Sequence, residues 1–145
     1  MASVNESTRP SVPALALFTC WLASGALLEG LHAIKARPYL EDSLRREMWT
    51  LAHAHGALLA LAWFAISGIL RVHLGRSPLG LVAERLFATG AMLTPVGFLL
   101  GGAWHFESDP GLGILLVPVG VACCVSGLIA WIVACRREAT GKTAS

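Results

Sequence analysis

Two imidazoles, His53 and His55, stand inside the apolar stretch that opens at Trp49 and continues through Leu51, Ala52 and Gly56 to Ala60. A carboxylate and a third imidazole, Glu29 and His32, stand three positions apart in an earlier apolar stretch. Ionisable groups in such surroundings have no water and no partner unless the fold supplies one, so each is a functional candidate. A neutral imidazole is a ligand for divalent metals and for haem iron. Glu29 and His32 have the i, i+3 spacing by which helical bundles offer a carboxylate and a histidine to one metal, and the same pair is suited to relay a proton. His105, followed by Glu107 and Asp109, is a further polar group to be placed, whereas His73 falls among loop residues and reads as solvated.

The elements that must position these groups follow from composition. The chain has 145 residues, 55% hydrophobic and 14% charged, well below the roughly 25% charged residues of soluble domains. That balance predicts an integral membrane protein held in a lipid bilayer, and a net charge of +2 gives no reason to expect nucleic acid as a partner. Four apolar runs, about 12–34, 49–70, 86–104 and 112–134, each approach the roughly 20 residues a helix needs to cross the hydrocarbon. The first is too long for the core of a signal peptide. Residues 1–11 are polar and read as a disordered tail, 12–135 as the transmembrane domain, and 136–145 as a polar C-terminal tail. Short connections make sequence neighbours antiparallel, so the predicted fold class is all-α, an up-down-up-down four-helix bundle.

Local signals refine this outline. Asp42 or Ser43 is the expected N-cap of the second helix. Gly75, Ser77, Pro78 and Gly80 mark a loop over 71–85, and Asp109, Pro110 and Gly111 a tight turn. Pro95 and Pro118 fall near the middle of the third and fourth runs and predict kinks. Small residues on one face predict close helix packing at Gly97 and Gly101, at Ala52, Gly56 and Ala60, and at Ala122, Ser126 and Ala130. Cys20, Cys123, Cys124 and Cys135 read as packing residues, and Ser24 and Ser67 as bonded to their own preceding turns. Arg9, Arg71, Arg76, Arg85, Arg136, Arg137 and Lys142 fall on one side, against Lys35, Arg37, Arg45 and Arg46 on the other. The count predicts a multi-pass protein of the cell membrane with both termini cytoplasmic.

In that topology Glu29, His32, His53, His55 and His105 gather at one end of the bundle. Glu29 and His53 each lie about four residues inside a helix end, about 6 Å deep at the helical rise. His53 and His55 are about 200° apart around the helix, so only one of them can face a common site. His53 is the better ligand, because Gly56, Ala57 and Ala60 beside it leave a low surface for a flat molecule, whereas Leu51, Leu58 and Leu59 flank His55.

The stretch Trp49-x-x-Ala52-His53, followed by small residues in a chain of this size, resembles the styrene oxide isomerase family of small four-helix membrane proteins. Arg85 with Leu86, Val96-Gly97-Phe98, and Pro110 with Gly111 extend the likeness. The resemblance implies haem b bound within the membrane, His53 as axial ligand, iron acting as a Lewis acid on an epoxide, and a trimeric assembly. Where the family's pattern has an Asn after the histidine this chain has Leu59, and where it has a Tyr after Gly-Phe it has Leu99. The haem is therefore the part of the family's chemistry that the resemblance carries over.

The leading expectation is a haem-binding membrane protein with His53 on the iron, His32 or His105 as second ligand or supporting partner, and Glu29 accepting the free N–H of an imidazole. Gly56 and Ala57 would form the surface under the ligand. The alternatives are a non-haem metal or proton site built on Glu29 and His32, and a purely structural membrane subunit in which the cluster is an interfacial polar network. Neither a nucleophile elbow nor a phosphate-cradling or dinucleotide motif is present.

Overall fold

The computed structural model describes residues 12–74 and 77–142. In chain order the helices are α1 (Val12–Ala33), α2 (Arg37–Leu40), α3 (Ser43–Leu74), α4 (Pro78–Ala103) and α5 (Leu116–Lys142), with a 3-10 turn at Leu112–Leu115 before the last. All but α2 belong to four segments long and apolar enough to cross a membrane. The polar stretch at residues 1–11, with Arg9, lies outside the described residues, as do Gly75 and Arg76.

Helix ends depart from the apolar runs because capping, not hydropathy, sets them. α3 starts at Ser43, where Asp42 Oδ1 accepts the N–H of Arg45 at 2.9 Å, the bond that defines an N-cap. The loop expected over 71–85 is largely helix. Ser77 accepts the N–H of Gly80 at 3.1 Å and Pro78 occupies the first turn, so these residues open α4 rather than prolong a loop. At the other end, the polar stretch from 136 continues α5 to Lys142. Pro118 falls in the first turn of α5, where a missing N–H costs nothing. Pro95 lies well inside α4 and is buried.

The long helices form an open row, α1 on α3, α3 on α4 and α4 on α5, with slight contact between α3 and α5 and no substantial contact of α1 with α4 or α5. Each long helix thus packs on its neighbours in the chain. Contacts run in opposite directions along neighbours: Trp21 meets Gly56 while Gly25 meets His53, and Gly90 meets Gly120 while Gly97 meets Val117. Side-chain size explains which pairs close. On α4, Gly90 and Gly97 let the backbone of α5 approach, and Gly101 brings Ile114 close. On α5 the covered stripe is Gly120, Cys124, Gly127 and Ala134. The small face expected at Ala122, Ser126 and Ala130 is not the packed one, since Ala122 and Ser126 are exposed. Of the cysteines only Cys124 is buried, while Cys20 and Cys135 are exposed. α1 buries only Ala14 and Trp21. Leu15, Leu22, Leu58, Leu61, Val125 and Ile129 point outward along the row.

Candidate functional site

His53 and His55 turn to opposite sides of α3. His55 Nδ1–H donates to the Leu51 carbonyl at 2.9 Å, and its ring lies 5.0 Å from that of Phe98 on α4. It is thereby part of the α3–α4 seam. His53 faces α1, and its Nδ1–H donates to the carbonyl of Trp21 at 2.7 Å. A carbonyl only accepts, so this bond fixes the proton on Nδ1 and leaves Nε2 as the lone pair. No protein hydrogen bond reaches Nε2 among the described residues. The Ser24 hydroxyl donates to the same Trp21 carbonyl at 2.7 Å and stands 3.5 Å from His53 Nδ1. For His53 the acceptor of the imidazole N–H is a backbone carbonyl of α1 and not the Glu29 carboxylate.

Gly25 makes the contact possible. A Cβ there would stand 2.8 Å from His53 Nε2, so the ring lies flat against the α1 backbone. Gly56, expected to lie under a ligand, is covered by the indole of Trp21, and a Cβ at that position would come within 2.5 Å of Trp21 Cε2. Gly25 is likewise covered, by the His53 ring itself, so the low surface left beside the imidazole is Ala26 on α1, and neither Gly56 nor Ala57 lines the cleft.

His53 opens on a cleft of about 340 Å³ between α1 and α3, bordered also by Leu22, Leu28, Glu29, His32, Tyr39 and Thr50. Glu29 and His32 are thus brought beside His53, on exposed positions of α1. Tyr39 is a member that sequence reading missed. It is buried, meets His32 edge to face at 5.2 Å and stacks on Trp49 at 6.2 Å. The signal was a lone tyrosine after a proline at a helix end, where an aromatic with a polar tip is favoured. A second cleft of about 410 Å³, bordered by Ser43, Arg46, Glu47 and Leu51, shares His32 and Thr50 with the first.

His105 is not brought to His53. Its Nε2 stands 2.7 Å from Asp42 Oδ2 and its Nδ1 3.2 Å from the Glu107 carbonyl. Both ring nitrogens are thus engaged at this junction and not at the cleft beside His53. Arg45 completes the junction, with one N–H 3.4 Å from Asp42 Oδ2 and others donating to the carbonyls of Gly102 and Pro38. These contacts tie the first turn of α3 to the end of α4. The Arg45 backbone N–H, above all, holds the Asp42 carboxyl below its ordinary pKa; burial opposes this, and His105 and the Arg45 charge reinforce it. A depressed folded pKa stabilises the fold above the ordinary carboxylate value of about 3.9 and ceases to as pH falls through the lowered one. Loss of this N-cap in Asp42→Ala should cost about 1 kcal/mol at pH 7, and the gap to wild type should narrow as pH falls through the lowered pKa of Asp42, in thermal melts followed by helicity.

Glu84 is the other residue that sequence reading missed. The fully buried Ser67 hydroxyl donates to Glu84 Oε1 at 2.8 Å instead of to its own preceding turn. The expected loop over 71–85 hid this carboxylate. Among the described residues no group of three or more His, Cys, Asp or Glu side chains is placed to hold a metal ion. Glu29 and His32 share the cleft with His53, and His105 stands apart from it at Asp42.

Comparison with protein-family models, with curated proteins and with solved structures finds no match to this chain.

Proposed function

We propose that this chain is a multi-pass membrane protein that binds haem b between α1 and α3 with His53 as axial ligand. The observation that carries the reading is the His53 Nδ1–H bond to the Trp21 carbonyl. An imidazole held this way presents Nε2 as a fixed lone pair, the arrangement in which metal-bound histidines are found. The donor set fits one axial bond, and it does not fit a chelated ion, which would need further ligands converging on the same point. The cleft offers a flat ligand apolar surface at Leu22, Ala26 and Leu28, with polar groups at Glu29, His32 and Thr50 on its border. The first cleft is at the lower end of the range of ligand pockets, and the second borders the same His32 and Thr50. When bound, haem b would supply an iron centre able to act as a Lewis acid.

The chain's own residues then have separable tasks. The Trp21 carbonyl and Ser24 hold the tautomer and orientation of His53. Glu29 and His32 are acid–base groups on the rim, where each is able to exchange a proton with a bound molecule. The outward apolar side chains along all four long helices support their insertion in a cell membrane, up and down in turn, with both termini cytoplasmic on the basic-residue count. The open flank of α1 supports a homo-oligomer, a trimer on the family resemblance, in which a neighbour closes the cleft.

The test is an absorption spectrum of protein purified in mild detergent from haem-supplied cells, before and after dithionite. A stoichiometric Soret band that shifts on reduction is expected. A featureless visible region in folded protein would overturn the reading.

A further inference from the structure

We infer that Arg46 holds the carboxylate end of the ligand bound at His53, so that the two clefts bordering His32 and Thr50 receive an anionic amphiphile in one orientation. The inference rests on the haem reading above, haem b being a flat apolar ring with carboxylates on one edge.

The first observation is register. Arg46, Thr50 and His53 stand at i, i+4 and i+7 on α3, a spacing that keeps all three on one face. Seven residues separate Arg46 from His53, about 10 Å along the axis, the scale of the reach from the centre of such a ring to its carboxylates. Thr50 lies between them and borders both clefts. A ligand seated at the imidazole and extending along this face arrives at Arg46.

The second observation is that Arg46 has capacity to spare and its neighbour does not. Arg45 is committed to Asp42 and to the carbonyls of Gly102 and Pro38. Arg46 gives one N–H to the Leu40 carbonyl at 2.8 Å and forms no ion pair among the described residues. That single bond steadies the guanidinium and leaves most of its donor fork for a carboxylate. The third observation is charge placement. Each cleft has one carboxylate on its border, Glu29 at the first and Glu47 at the second, and both stand exposed to water, where their fields are screened. The guanidinium of Arg46 borders the second, so a ligand carboxylate gains at that end.

The experiment titrates haem b and its dimethyl ester, in which both carboxylates are blocked, into detergent-solubilised wild type and Arg46→Gln, following the Soret band. Wild type should bind haem b about tenfold more tightly than the ester, the factor that one charge-assisted bond of about 1.4 kcal/mol supplies. Arg46→Gln should bind the two alike, at the level of the ester. Arg46→Lys should recover part of the preference for haem b. Equal binding of both ligands by wild type, with a Soret band present, would overturn the inference and leave the haem reading standing. No Soret band with either ligand would overturn both. The wild-type comparison needs no variant, so loss of the Leu40 bond in Arg46→Gln cannot decide the outcome.

Discussion

His53→Ala should give a folded protein with no Soret band. The side chain is only partly buried, and its removal leaves the Trp21 carbonyl with the Ser24 hydroxyl still donating to it. The cost to stability should be about 1 kcal/mol, the net worth of one hydrogen bond. Haem occupancy should fall much further, beyond the 10–100-fold that follows loss of a mere supporting partner of a metal ligand. The measurement is the ratio of Soret to protein absorbance, with helicity as the check on folding. His55→Ala is the control, since His55 belongs to the seam with Phe98, and it should keep the band. An unchanged band in His53→Ala would remove His53 from the iron.

The largest effect on the fold should come from Gly90→Val. A Cβ at Gly90 would stand 2.7 Å from the backbone nitrogen of Cys124 and closer still to the Gly120 carbonyl. These are backbone atoms, so no rotamer change relieves the clash and α5 must move away from α4. Overpacking of this kind costs about 3 kcal/mol or more. Because α5 leans chiefly on α4, most of its packing is lost together. Gly30→Ala is the matched control, since a Cβ there meets nothing within 4 Å. It should be neutral or slightly stabilising, given the helix preference of Ala over Gly. Unfolding midpoints in detergent separate the two, and a Gly90→Val midpoint equal to wild type would show that α4 and α5 do not meet at this glycine.

Much was legible in particular residues. Asp42 announced the start of α3, because a carboxylate satisfies an orphan N–H wherever it stands. The angle between His53 and His55 followed from the helical period alone, and the two rings do face different helices. Glu29 and His53 were placed near one another by depth, and they share a cleft. The errors are equally specific. Ser77, Pro78 and Gly80 carry the letters of a loop, although Ser before Pro is also how a helix begins. Gly56 has the letter of an open floor, but a sequence does not say which bulky residue of another helix fills the notch.

The sequence by itself determined that four helices are long and apolar enough to cross a membrane, and that few polar groups lie within them. Composition and period suffice for that, since the helix satisfies its backbone internally and apolar length is a property of consecutive residues. Only the tertiary structure decided that the helices form an open row and that His53 gives its N–H to a carbonyl of α1. It likewise decided that His105 is bound to Asp42, away from the cleft. The reason is that helix pairing depends on which small residues lie opposite which large ones across residues far apart in the chain. A difference of one methyl group, as at Gly25 or Gly90, settles whether two backbones can meet.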